Sequence, residues 1–185
     1  MNIKGKLVIL RAIEEEDLPF LKKWADDTDT QESMGTIYFP NSKNYHLNWI
    51  KKLEAEPLDQ RFIVSFEEVP IGISSLIEIN WRNKRAWHGL MIGDTQNRKK
   101  GLGFDTVMAT MRFAFDELGL HRLDGSILST NTPSLNFYKK LGWIEEGCRR
   151  EWIFRHNEYL DEILVGITSD DYRKICIESN FWNLI

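Results

Sequence analysis

Apolar residues recur at helical spacing most plainly in one stretch, where Phe104, Val107, Met108, Met111, Phe115 and Leu118 fall at i, i+3, i+4, i+7, i+11 and i+14 and Gly119 follows. The spacing predicts an amphipathic helix over 104–118 with one face laid on a core. Upstream, runs rich in β-branched residues over 61–66, 72–80 and 86–92 predict three antiparallel strands, the first two joined through Glu67-Glu68-Val69-Pro70 as a hairpin. Downstream, 122–127 reads as a short strand, and the order strand, loop, helix, strand calls for a crossover to a parallel neighbour.

The flanks extend this frame. Residues 6–11 predict a first strand, and Asp17 a cap for a helix whose apolar positions are Leu18, Leu21 and Trp24, with Pro19 tolerated in its first turn. The segment 26–43 keeps no period and contains Gly35 and Pro40, so it predicts a long loop with Ile37, Tyr38 and Phe39 as an inward patch. A helix over 44–56 with Leu47, Ile50 and Leu53 on one face stops at Pro57. Thr132 as cap and Pro133 at the first position start a helix that presents Ser134, Phe137, Tyr138 and Leu141 and ends at Gly142. Residues 143–154 and 158–168 form a closing hairpin across Arg155-His156-Asn157, and Ser169 starts a last helix. The result is one domain over 1–185, an α/β (α+β) fold around a single mixed, mostly antiparallel sheet of about seven strands flanked by helices.

Composition narrows the function classes. A chain of 185 residues that is 42% hydrophobic suits one soluble domain, and a net charge of −4 with a pI near 5.6 argues against a general nucleic-acid binder. With two cysteines, Cys148 and Cys176, neither a disulfide nor a metal site is assigned. Met1-Asn2-Ile3-Lys4 opens no signal-peptide-like apolar run and no stretch has the length of a membrane span, so no membrane partner and a cytoplasmic location are expected. Seven tryptophans and ten phenylalanines hint at an aromatic pocket, with Trp81, Trp87, Tyr38 and Phe39 as its candidates. Asp26, Asp27, Asp29 and Glu32 form an acidic cluster that would attract a polyamine or simply face solvent.

Chemistry concentrates at Arg98-Lys99-Lys100-Gly101-Leu102-Gly103, between a predicted strand and the strongest predicted helix. Backbone N–H groups at a helix start bind phosphate, glycines allow close approach, and three cations add charge, so the loop suits a pyrophosphate.

The same loop resembles the acetyl-CoA loop of the GCN5-related N-acetyltransferase family, whose pattern is Gln or Arg, two residues, Gly, one residue, then Gly or Ala. Downstream, the run from Asn131 through Thr132-Pro133-Ser134 and Tyr138 to Gly142-Trp143 is similar to the family's Asn-x-x-Ser-x-x-x-Tyr-x-x-x-Gly-aromatic element. The likeness extends more loosely over 6–167 and leans toward the branch of ribosomal-protein, polyamine and amino-sugar acetyltransferases.

The resemblance implies a family fold splayed between the fourth and fifth strands, acetyl-CoA as co-substrate, and direct attack by a neutral amine in a ternary complex. It makes Tyr138 the general acid for the departing thiolate. Arg98, Lys99, Lys100, Gly101, Leu102 and Gly103 would hold the pyrophosphate, the main chain of Leu90, Met91 and Ile92 would pair with the pantetheine arm, and Asn131 and Ser134 would contact the cofactor. His88 stands where many relatives have a glutamate and is the candidate base, with Glu78 as the fallback. The expected acceptor is a small-molecule primary amine, a nucleotide-linked amino sugar ranked ahead of a protein N-terminus and a polyamine. A non-catalytic acyl-CoA-binding module is the competing reading. Homodimers are in keeping with the family, with Phe181-Trp182 as a candidate contact.

Overall fold

The computed structural model describes residues 2–34, 41–53, 55–56, 58–98 and 100–182. Strands β1 (Ile3–Lys4), β2 (Ile9–Arg11), β3 (Gln60–Phe66), β4 (Val69–Asn80), β5 (Arg85–Ile92), β6 (Arg122–Leu128), β7 (Ile144–Arg155) and β8 (Glu158–Thr168) make one open sheet in the order β1-β2-β3-β4-β5-β6-β8-β7. Neighbours run antiparallel except β5 and β6, which are parallel. Their pairing covers Arg85 with Arg122, Ala86 with Leu123 and Trp87 with Asp124. From His88 onward the two strands part. The splay is where the fourth and fifth predicted strands meet, since β1 is the one strand the alternation does not announce.

Helices cover both faces. On one, Leu21 and Trp24 of α1 (Leu18–Asp26) and Ile50 of α3 (Lys43–Leu53) pack on Ile63, with Ile73 and Met91 beside them. On the other, Val107, Met108 and Met111 of α4 (Leu102–Arg112) bury against Leu76, Ala86 and Leu123, with Leu90 packed alongside. Each of these buried side chains contributes roughly 1.5–3 kcal/mol relative to exposure. Helices α5 (Thr132–Lys140) and α6 (Ser169–Ser179) join this second layer through Leu135, Phe137 and Tyr172. Strand alternation therefore puts His88 and Leu90 on the α4 and α5 face and Gly89 and Met91 on the α1 face.

The predicted helix over 104–118 is interrupted. Regular α-helix ends at Arg112, and one π-helical turn, Phe113–Glu117, completes it with Leu118 N donating to Phe113 O at 2.9 Å. The wider turn re-aims the apolar face. Phe113 stacks edge-on to Phe62 with ring centroids 5.9 Å apart, and Phe115 meets Tyr172 at 5.4 Å.

Several local expectations are corrected. The predicted loop 26–43 contains a helix, α2 (Thr28–Met34), whose start is held by Asp27 Oδ1 accepting from Thr30 N at 2.7 Å. Asp17 stands at the N-cap of α1 without a capping bond; its carboxylate accepts instead from the Arg11 guanidinium at 2.7 and 2.6 Å. Asn131, not Thr132, caps α5, because its Oδ1 accepts from Ser134 N at 3.2 Å. Residues 6–8 are not yet strand: the N–H groups of Lys6, Leu7 and Val8 all donate to the buried Asp105 carboxylate at 2.7, 2.6 and 2.8 Å. Phe181 and Trp182 pack on their own chain, Phe181 against Phe104 at 5.5 Å and Trp182 under the Arg112 guanidinium at 4.0 Å. The expectations at Gly35, Ile37, Tyr38, Phe39, Pro40 and Pro57 fall outside the described residues.

Candidate active site

Where β5 and β6 diverge, a cavity of about 750 Å³ opens between the two helical layers. One end of it is the start of α4. Gly101 caps that helix at φ +80, a left-handed conformation that only glycine adopts without strain, and a Cβ there would meet nothing within 4 Å. Open space in front of a helix start, with the dipole behind it, fits an anion. Gly103 also lines the cavity, whereas Leu102 buries its side chain beside Ile71 and Ala109, leaving its backbone for any ligand contact. Lys100 Nζ donates to Asn97 Oδ1 at 3.2 Å, and Lys99 lies outside the described residues. The Arg98 side chain turns back from the loop. Its guanidinium donates to Ile92 O at 3.3 and 3.2 Å and to Thr30 Oγ1 at 3.3 Å.

The deep end is aromatic. Tyr138 on α5 lies with its ring 6.0 Å from His88 and 5.1 Å from Trp143, and His88 and Trp143 are 5.6 Å apart. His88 Nδ1 lies 3.2 Å from Ser75 O, an acceptor, so this nitrogen carries the proton and Nε2 keeps a lone pair. Nε2 is buried without a partner, as is the indole N–H of Trp143. Burial pushes the His88 pKa down to about 4, partly offset by the Ser75 carbonyl, and raises that of the Tyr138 phenol. Both rings are therefore neutral at neutral pH.

Of the expected site residues, the structure gathers Tyr138, His88, Leu90, Met91, Ile92, Arg98, Gly101, Gly103, Asn131 and Ser134 around the cavity. Glu78 is not among them. It sits at an irregularity of β4 with φ 52, exposed, its N–H donating to Asp59 Oδ1 at 3.0 Å. Trp81 and Trp87 do not line the cavity either, and among the described residues no carboxylate does. Thr30, Ser33 and Met34 of α2 form a wall that the sequence did not announce, because α2 has no apolar stripe. Trp143 was legible only as the aromatic closing the second motif.

A family model for the acetyltransferase (GNAT) domain matches residues 10–164. The chain belongs to the GNAT family. It is an acyltransferase whose donor is acetyl-CoA. An SPbeta prophage-derived uncharacterized N-acetyltransferase of Bacillus subtilis is 28% identical over 169 residues, covering 91% of this chain and 93% of that one. A spermidine N(1)-acetyltransferase of Escherichia coli is 26% identical over 168 residues, covering 89% and 88%. Among solved structures, the spermidine N-acetyltransferase of Vibrio cholerae in complex with CoA and spermine superposes with a TM-score of 0.85 at 23% identity, covering 91% of this chain and 99% of that one. That likeness establishes the GNAT fold. No described helix is long and apolar enough to cross a membrane.

Proposed function

We propose that this GNAT enzyme acetylates a primary amine of a small molecule by direct attack in the split between β5 and β6, with Tyr138 as general acid. The observation that carries the reading is the position of Tyr138: a protonated phenol on α5, lining the cavity at the point where the strands part. When bound, acetyl-CoA supplies an activated acyl carbon and a sulfur that leaves as thiolate. The start of α4 at Gly101 and Gly103 would hold phosphate charge through backbone N–H groups, and the edge of β5 beyond Trp87 offers the main chain of Leu90 to an extended arm, Met91 facing β4. Asn131 and Ser134, at the start of α5, flank that arm. Tyr138 then delivers its proton to the sulfur.

The amine's proton is assigned to water. His88 shares a face with Tyr138 and burial leaves its ring too weakly basic to take the amine's proton, so its role in this reading is to pack against Tyr138 and orient it. Glu78 lies outside the cavity.

For the acceptor, a polyamine is favoured by the spermidine acetyltransferases among the relatives and by exposed Asp26, Asp29 and Glu32 along α1 and α2. A nucleotide-linked amino sugar is the second reading, favoured by a cavity wall that includes Lys140 and no described carboxylate. A panel of spermidine, spermine, a nucleotide-linked amino sugar and a peptide with a free N-terminus, with products resolved by mass spectrometry, tests both. Preferential acetylation of the polyamines is expected. Acetylation of the amino sugar alone would select the second reading, and CoA binding without turnover of any amine would overturn both.

A further inference from the structure

We propose that the Arg98 side chain serves the amine rather than the phosphates: it is a positioning residue that fixes α2 as the wall against which the acceptor binds. The inference rests on the split being the place of transfer.

Helix α2 reaches both sides of the split. Toward β5, Arg98 Nη2 donates to Thr30 Oγ1 at 3.3 Å while the same guanidinium grips Ile92 O, the end of the strand. Toward β6, Asn131 Nδ2 donates to Ser33 O at 3.0 Å while its Oδ1 caps α5. A third tie comes from the hairpin, where Arg155 Nη1 donates to Glu32 O at 2.6 Å and His156 meets the Glu32 carboxylate at 3.3 Å. Thr30 is 1% exposed, the one buried residue of the helix, and its N–H is held by Asp27, whose carboxyl the Thr30 hydrogen bonds keep below the usual range.

Two physical points give these bonds a function. A seven-residue helix with no apolar stripe has almost no stability of its own, so its position is set by its tethers. And the acid lies on the α5 face of the sheet, so the departing sulfur is attended from that side and the amine reaches the acyl carbon from the other. The preceding helix, α1, packs on that other face, and Thr30, Ser33 and Met34 of α2 line the cavity. The guanidinium ties the β5 terminus to the α2 hydroxyl and, by its charge, also favours the Asp27 carboxylate. A lysine cannot reproduce that fork.

Four variants and three readouts decide the matter. Arg98→Met, Arg98→Lys and Thr30→Val are each expected to raise the amine KM about three- to tenfold, the effect of losing one to three weak hydrogen bonds. CoA affinity, by calorimetry, should stay within about twofold of wild type. The double variant Arg98→Met with Thr30→Val should be no worse than Arg98→Met alone, because both cut the same tie. Hydrogen exchange at residues 28–34 should quicken in Arg98→Met while α4 keeps its protection. Weakened CoA binding in Arg98→Met, restored by Arg98→Lys, with the amine KM unchanged would overturn the proposal in favour of a phosphate contact. Unchanged exchange over α2 would overturn it as well. That exchange readout needs no turnover, so it stands apart from a failure of the proposed function, which would show as wild-type protein acetylating no amine.

Discussion

Tyr138 and His88 lie on the same face of the split sheet, their ring centroids 6.0 Å apart, with Trp143 closing the triangle. The arrangement groups a protonated phenol with a neutral histidine, and among the described residues no carboxylate lines the cavity. Tyr138→Phe removes the proton donor and keeps the ring contacts. It is expected to lower kcat by about 10²–10⁴, the usual worth of a general acid. CoA affinity, measured by calorimetry, should hold.

His88 links the site to stability. Its folded pKa of about 4 lies below the unfolded value, so the unfolded chain binds the extra proton first as pH falls. The stabilisation is fully present above about pH 6.5 and is lost between about 6.5 and 4, with an upper size of order 3 kcal/mol. Urea unfolding at a series of pH values should show this decline in wild type, and a shallower one in His88→Gln. Since the ring does not titrate near neutrality, His88→Gln should also leave the shape of the kcat/KM profile for the amine between about pH 6 and 8 unchanged.

Gly101 is the sharpest test of the phosphate cradle. At φ +80 a side chain costs about 1–2 kcal/mol, although nothing lies close enough to clash. Gly101→Ala is expected to weaken CoA binding roughly 5- to 30-fold through the loop's conformation, with global stability reduced by no more than that strain. Calorimetry and thermal unfolding separate the two.

Asp105 ties the first turn of the same helix to the turn ahead of β2. Replacing it with alanine strands three backbone N–H groups, those of Lys6, Leu7 and Val8. The Val8 N–H is buried and those of Lys6 and Leu7 are partly so, and a buried unpaired donor costs about 1–3 kcal/mol, so Asp105→Ala should lose on the order of 1–3 kcal/mol by denaturant titration.

What the sequence revealed and what it hid follow physical lines. The helix over 104–118 was legible because its apolar stripe is long and regular, although the π turn at Phe113–Glu117 was not, since one extra residue per turn leaves the composition unchanged. The loop 98–103 and Tyr138 were singled out by two motifs whose order and spacing survive in a linear reading, and the structure brings Arg98, Gly101, Gly103 and Tyr138 to one cavity. Helix α2 was hidden because Thr28–Met34 is polar and held by Arg98, Asn131 and Arg155, partners more than sixty residues away in sequence. The face taken by His88 was hidden too, because it depends on the register that pairs Leu76 with His88, one strand away from an irregularity at Glu78. Asn131 and Ser134 were read as cofactor contacts; the structure adds that they bond to each other as the cap of α5.

The central claim, that a cofactor held on the α4 and α5 side and an amine held on the α2 side meet in one split, is tested most directly by initial rates over a matrix of acetyl-CoA and spermidine concentrations, with thiol release as the signal. The account predicts double-reciprocal lines that intersect, as direct transfer in a ternary complex requires. Parallel lines, the mark of an acetylated enzyme intermediate, or no thiol release with any amine of the panel, would contradict it.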